Sequence, residues 1–440
     1  MSHSYGCGSL SNLWVQKMPN NADLLILSAP VFISLELESR CPNCCPCCGS
    51  VFAAERARPP LSLDGWRQVL DKLQPSLHRL VLTGGEPTLH PEFEAITELI
   101  DALGVPFAIF TNARWPHPNH LLSHLADSPR FEGFLVSLHG GTAEIHEAFT
   151  HTPVSFAETV ANIERAATAG FRVTTSTVVM AFNHHRLADV ANLAAGLGVE
   201  RAIFNRYLGI ERPGLTATPE QLRQAIQTVD QELAPRFPIP VHIGNCVPQC
   251  FYRSSSEGWL LPGIAFCTVD PWGRVRPSNH APLICGNLLN QSLEEVWQSE
   301  AMWRWRRMIP AQCYECVLLE HCGGGSREVA LFLDLPHDPL IGEPIREQEE
   351  PEPLVLYEGL YPVACFTIEP QPFGFALIRG NRVVPVAPSA KPLLDALDGT
   401  LTLKEIRQQF GKEALSLVGS LYRKGLIKLE DSERVISEIL

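Results

Sequence analysis

Between about residues 32 and 235, strand and helix patterns alternate six times, and this alternation restricts the fold more than any other feature. The strand candidates are Phe32–Leu37, Arg79–Thr83, Phe107–Thr111, Gly133–Leu138, Arg172–Val179 and Ala202–Asn205. Each is short and rich in Ile, Val, Leu or Phe, as strands buried on both faces are. Between them lie amphipathic stretches such as Leu63–Leu73, Phe93–Leu103, Phe156–Ala169 and Leu187–Leu197. Six β-α units in sequence predict parallel strands with right-handed crossovers. An eight-stranded barrel needs more length before the composition changes, so the expected fold class is α/β with a six-unit (β/α)6 partial barrel. In such sheets the chemistry sits at the carboxyl ends of the strands.

The cysteine-richest loop falls on that rim. Cys41, Cys45 and Cys48 stand at C-x3-C-x2-C after the first strand. Gly84-Gly85-Glu86-Pro87 ends the second strand, Thr111-Asn112 the third and Ser137 the fourth. Three thiolates suit a [4Fe–4S] cluster whose fourth iron stays open to chelate a ligand. Cys44 and Cys47 crowd the same run, so Cys41, Cys44 and Cys47 also fit the spacing of an electron-transfer ferredoxin. Cys41 and Cys44 with distant pairs also fit a zinc ribbon. The glycine turn at the second strand favours the first frame, because a backbone-exposed turn suits a ligand-contacting loop.

The stretch from Ser34 to Cys48, with Gly84–Pro87, resembles the cluster loop and glycine turn of the radical S-adenosylmethionine (SAM) superfamily. The resemblance implies that SAM chelates the open iron, that one electron cleaves its sulfonium, and that a 5′-deoxyadenosyl radical abstracts a hydrogen atom. It assigns Gly84, Gly85, Glu86 and Pro87 to the methionine amino group, and places Asn112 and Ser137 at the same cofactor. Cys47 stands where the family usually carries an aromatic residue, and His139 where Ser-Leu-Asp-Gly would have its Asp. His139 and His146 are read first as hydrogen-bonded histidines and second as substrate contacts.

Seven cysteines fall between residues 246 and 322. Cys313-x2-Cys316-x5-Cys322 before three glycines, and the segment from Cys267 through Gly273 to Ser278, resemble the SPASM extension of peptide- and protein-modifying radical SAM enzymes. Ser278 and Ser326 stand where that pattern carries cysteines. Cys267 and Cys285 with the distal C-x2-C also fit the shorter twitch type. The resemblance implies at least one auxiliary iron–sulfur cluster from Cys267, Cys285, Cys313, Cys316 and Cys322, with Cys246 and Cys250 as possible further ligands and structural zinc as the alternative. Cys7 and Cys365 read as ordinary thiols.

The remaining sequence sets boundaries and partners. A formal charge of −13 disfavours a nucleic-acid partner. No apolar run reaches the length of a membrane span, and no basic start precedes an apolar stretch, so no membrane partner is expected. Fourteen cysteines without an export signal point to a reducing, cytoplasmic setting. A hairpin is expected around Pro19-Asn20-Asn21 within an N-terminal extension, residues 1–30. The partial barrel then takes 31–240, the auxiliary cluster domain 241–335, an exposed Pro/Glu-rich linker 336–353 and a last domain 354–440. That last domain, through Leu397-Asp398-Gly399-Thr400 and its helix–wing pattern, is similar to the peptide chaperone of pyrroloquinoline quinone biosynthesis. The similarity implies a winged-helix-like element that binds a leader peptide.

Together these expectations describe a maturase of a ribosomally made precursor peptide, acting by cross-linking or excision and fed by an electron donor such as flavodoxin or ferredoxin. The alternatives are an enzyme for a folded protein or small molecule (sulfatase-maturase-like or haem-related), and a non-enzymatic iron–sulfur or zinc regulator.

Overall fold

The computed structural model describes residues 25–51, 53–244, 247–253, 262–347 and 356–431. The expected N-terminal hairpin turn, Cys7 and Cys246 lie outside them. The chain divides into two compact units, Ala29–Arg346 and Met1–Ser28 with Glu347–Leu440.

The first unit is built on one ten-stranded sheet. Its strands are β1 (Phe32–Glu38), β2 (Arg79–Gly84), β3 (Phe107–Thr111), β4 (Phe131–Ser137), β5 (Val173–Val179), β6 (Arg201–Arg206), β7 (Val241–Ile243), β8 (Phe266–Val269), β9 (Arg274–Arg276) and β10 (Gly286–Asn287). Strands β1 to β6 lie side by side in sequence order, all parallel. The sheet continues past this run: β7 adds parallel to β6, and β8 adds parallel to β1. Every residue of β1 is buried, because this strand is central and both faces are covered. The helix Leu63–Leu73 shows how the crossovers form: Ser62 caps it, and Trp66, Val69, Leu70 and Leu73 fall on one buried face.

Strands β8 to β10 carry the beginning of the second cysteine field onto the edge of β1. A buried ion pair between Arg276 of β9 and Glu36 of β1, 240 residues apart, fixes the junction. Asn279 Nδ2 donates to Ser34 Oγ at 2.9 Å beside it.

The stretch from Pro336 is not an exposed linker at its start. Asp338 is 1% exposed and grips Arg206 at the end of β6 through two bonds, 2.6 and 2.9 Å. Its carboxylate also accepts the backbone N–H groups of Ser326 and Leu340. Residues up to Arg346 therefore belong to the first unit. Proline-rich composition does not reveal a single buried carboxylate.

In the second unit, β11 (Tyr361–Ala364) pairs antiparallel with β15 (Ile427–Glu430). A meander of β12 (Thr367–Gln371), β13 (Gly374–Arg379) and β14 (Arg382–Val386) stands beside the helices Lys391–Asp395, Leu403–Phe410 and Lys412–Arg423. The apolar run Val363–Thr367 is divided between two strands in different sheets, parted at Cys365, whose N–H bonds Leu426 O at 2.8 Å. The Leu-Asp-Gly-Thr segment is a tight turn: Asp398 Oδ1 accepts from Thr400 N and Oγ1, and Gly399 has φ +83°.

Asp338→Ala removes the carboxylate from a buried Arg206 and should lower the unfolding free energy by about 3–5 kcal/mol. Denaturant unfolding checks it; a change below about 1 kcal/mol would show that the pair does not hold residues 336–346 in place.

Candidate active site

The cluster loop starts where β1 ends, and a buried carboxylate fixes its exit. A register shift places Glu38 opposite Gly84. Glu38 Oε1 accepts the N–H groups of Ser39 (2.8 Å) and Arg40 (3.0 Å), and Oε2 accepts Arg40 Nε at 2.9 Å. Gly85 N–H donates to Glu38 O at 2.6 Å and Glu86 N–H to Arg40 O at 2.9 Å, so the glycine turn is stitched directly to the loop. A Cβ on Gly84 would lie 2.1 Å from Glu38 O, and one on Gly85 2.3 Å from Arg40 O. Both glycines are required by this approach of two main chains.

Cys41, Cys45 and Cys48 lie in one another's electrostatic field. Burial raises the Cys41 thiol to about 11, with Glu86 and Cys48 adding to the rise, and burial with Cys48 and Cys41 raises Cys45 further. Asn43 N–H (3.5 Å) and Asn112 Nδ2 (3.4 Å) donate to Cys41 Sγ, and Arg56 Nη2 donates to Cys48 Sγ at 3.5 Å. Three half-buried thiols, each offered an N–H or guanidinium donor or pressed by its neighbours, form a donor set suited to a cationic iron–sulfur core. The other two thiols of the run go elsewhere. Cys44 is exposed, and Cys47 sits in an apolar cluster with Phe149 and Met180, against which Tyr207 packs. Among the described residues no three His, Cys, Asp or Glu side chains close on one point as the ligands of a single metal ion do.

Glu86 is fully buried and saturated from within. It accepts Thr88 N (3.3 Å) and Thr88 Oγ1 (2.8 Å), Thr111 Oγ1 on both oxygens (2.9 Å) and Asn112 N (2.9 Å). Burial pushes its carboxyl upward, and the Asn112, Thr88 and Thr111 donors pull it back. These donors occupy the carboxylate that sequence reasoning offered to an ammonium. Pro87 opens the short turn Pro87–Leu89 that Glu86 caps. Asn112 is fixed on every side: its carbonyl accepts Thr159 Oγ1 and its Oδ1 accepts Arg114 N, both at 2.9 Å.

Ser137 ends β4 on the same rim, opposite Ser176 of β5. Ser176 Oγ accepts Asn205 Nδ2 of β6 at 2.9 Å. Ser176 and Asn205 extend a polar row that sequence reading missed, although the alternation Thr175-Ser176-Thr177, with both threonines buried, was its signal. His139 and His146 are core histidines. His139 stacks on Phe149 at 3.8 Å and its Nδ1 accepts Val178 N–H, while His146 Nδ1 accepts His139 N–H. Burial holds His139 well below its ordinary range, and burial plus the charge of Arg114 takes His146 to about 4. A cavity of about 450 Å³ lined by Thr88, His90, Trp115 and His117 among others lies beside Glu86, away from the thiols.

The auxiliary cysteines fall into two groups. Cys267 and Cys285 are buried in the main apolar core, where Cys267 senses Cys285 and Cys285 senses the guanidinium of Arg306. Cys313, Cys316 and Cys322 gather separately, with Cys250 among them. The expected five-cysteine ligand pool is thus split by the fold.

Residues 36–194 match the radical SAM superfamily, and residues 263–317 match SPASM, an iron–sulfur cluster-binding domain. A PqqA peptide cyclase of Rhodopseudomonas palustris is 27% identical over 69% of this chain and 84% of its own length. An AdoMet-dependent heme synthase of Methanosarcina barkeri is 24% identical over 68% of this chain and 92% of its own. Among solved structures, SuiB of Streptococcus suis superposes with TM-score 0.58 at 16% identity, covering 72% of this chain and 78% of that one; at that identity the likeness shows the fold. Among the described residues no helix is long and apolar enough to cross a membrane.

Glu86→Gln turns an –NH2 toward the Thr111 and Asn112 donors. It should destabilise the fold by about 2–3 kcal/mol and lower the iron retained after anaerobic reconstitution and desalting, whereas unchanged iron and stability would mean Glu86 does not hold the loop. Residues 36–194 are thus a radical SAM domain and residues 263–317 a SPASM domain, and the chain is an enzyme whose cofactors are a [4Fe–4S] cluster, SAM and auxiliary iron–sulfur ligation.

Proposed function

We propose that the chain is a maturase of a ribosomally synthesised precursor peptide, favouring radical cross-linking or excision. The observation that carries this reading is the three-thiol loop latched to the Gly84–Pro87 turn, in a chain whose relatives include PqqA peptide cyclases. SuiB has itself been solved with its precursor peptide SuiA.

In this reading β1 to β6 and their helices form the six-unit partial barrel, and the unit after residue 347 is a winged-helix-like leader-binding domain. Its β11–β15 ribbon and β12–β14 meander leave strand edges among the described residues where an extended peptide adds by main-chain hydrogen bonds. Recruitment by one unit and chemistry by the other lets a weakly selective site act on one defined chain. Cytoplasmic location, with flavodoxin or ferredoxin as electron donor, belongs to the same reading.

Cys41, Cys45 and Cys48 would hold the cluster. SAM bound to its open iron supplies, on one-electron reduction, the hydrogen-abstracting chemistry. Because internal donors occupy the Glu86 carboxylate, the acceptors left for the methionine ammonium are main-chain carbonyls of the Gly84–Pro87 turn. Glu86 acts as a positioning residue. Asn112 steadies Cys41 through its Sγ, and Ser137 offers a hydroxyl on the rim. The apolar cluster of Cys47, Phe149 and Met180 keeps water from one side of the loop.

The match to an AdoMet-dependent heme synthase, of similar extent, favours a second reading in which the substrate is a tetrapyrrole. Reconstituted protein, SAM, reductant and a short peptide encoded beside the gene separate the two. Peptide-dependent 5′-deoxyadenosine with loss of two hydrogens means cross-linking, and a larger defined loss means excision. SAM cleavage that leaves the peptide untouched, but responds to a porphyrin precursor, would replace the first reading with the second. Cys45→Ala should abolish deoxyadenosine in either case.

A further inference from the structure

Ser278 and Ser326, at two positions where the SPASM pattern carries cysteines, are brought together by the fold. They are 5% and 1% exposed, and both donate to one carboxylate, Glu328, itself 1% exposed. Ser278 Oγ reaches Glu328 Oε1 at 2.5 Å, and Ser326 Oγ reaches Oε2 at 2.9 Å. Ser326 Oγ also accepts Val329 N–H, capping the helix Arg327–Phe332. Both hydroxyls and both carboxylate oxygens are therefore engaged. Hydroxyl and carboxylate oxygens are hard donors, poorly matched to an iron–sulfur core that prefers thiolates. The residues at this position do not fit a cluster.

A better donor set lies nearby. Cys313 sits in the turn Ala311–Glu315, Cys316 follows it, and Cys322 ends the helix Leu319–Cys322. Cys316 N–H bonds Cys313 O at 3.1 Å, and Cys322 N–H bonds Leu318 O at 2.8 Å, so a compact loop presents the three thiols. A strap formed by residues 342–345 sets Cys250 beside them. Gly342 N–H donates to Cys250 Sγ at 3.3 Å, and Ile345 O accepts Val317 N–H at 2.9 Å. Cys250 senses the charge of Cys322 and Cys316, and Cys313 that of Cys322, Cys250 and Cys316. Cys250 lies outside the span that matches SPASM.

We infer that the chain carries one auxiliary iron–sulfur cluster, held by Cys250, Cys313, Cys316 and Cys322, and that the Ser278–Glu328–Ser326 bridge fills the place of a second. Four thiolates leave no iron open, so this cluster passes electrons and does not bind substrate. Cys267 and Cys285 remain core thiols.

The inference rests on the SPASM assignment and not on the peptide reading, and its test needs no turnover. A full-length variant with Cys41, Cys45 and Cys48 all changed to Ala isolates the auxiliary iron. After anaerobic reconstitution it should hold about four iron and four sulfide per chain. About eight iron, or zinc without sulfide, would overturn the inference. In that background Cys250→Ala should lower the iron content or convert the electron paramagnetic resonance (EPR) signal, and the near-isosteric Cys250→Ser should shift its g values with the circular dichroism of the fold unchanged. Cys246→Ala, Cys267→Ala and Cys285→Ala should each leave iron and signal as they were; loss in any of these with retention in Cys250→Ala would refute the ligand set. Glu328→Gln should keep its iron, and iron loss with intact circular dichroism would make Glu328 a ligand.

Discussion

One buried carboxylate organises the catalytic rim. Desolvating a carboxylate costs several kcal/mol, and the cost is met only where donors are already in place. For Glu86 they come from the turn after β2 and from the end of β3: Thr88, Thr111 and the backbone of Asn112. That arrangement locks two strand ends together, aims Asn112 Nδ2 at Cys41, and leaves the main chain of Gly84 and Gly85 lying on the cluster loop. Glu38 does the same one strand over for Ser39 and Arg40. The loop that carries the thiols is thus held by its anchors at residues 38–40 and 84–86, so its geometry is set by sheet register rather than by its own sequence.

The two cysteine fields follow different rules. Around Cys41 five thiols crowd eight residues, and the three at the cluster spacing are half-buried and supported by donors or by one another. Farther along the chain, cysteines occur in surplus and the fold sorts them: two into an apolar core, four around a strapped loop, and two expected positions given to serine. In the proposed ligand set a cysteine count therefore overstates the number of clusters, while the positions of serines and of Glu328 correct it.

Much of the fold was legible in the sequence because buried parallel strands are short apolar runs with clear breaks. All six such runs are strands within a residue or two of their expected ends. What stayed hidden depends on distant residues. The addition of β8 beside β1 depends on pairing between Phe266–Val269 and Phe32–Leu35, which no local pattern encodes. The division of Val363–Thr367 between two sheets is likewise set by partners, β15 for one half and β13 for the other. At the site, residue types and spacing pointed to the thiols, the glycine turn and Asn112, but not to the direction in which Glu86 spends its carboxylate. A Glu that binds ligand and a Glu that binds its own backbone read alike in one dimension. Asp338 was missed for the same reason, and the sequence offered Cys250 only alongside Cys246 as a further ligand without placing it, since each acts on residues far along the chain.

The central claim is that the loop of Cys41, Cys45 and Cys48 holds a cluster with one iron open to SAM beside the Gly84–Pro87 turn. The most direct measurement is hyperfine spectroscopy of the reduced full-length protein with SAM labelled with 15N in the amino group and 17O in the carboxylate. Coupling of both labels to a reduced cluster is expected, disappearing in Cys45→Ala. Absence of coupling while labelled SAM is shown to be bound by equilibrium dialysis would contradict the account.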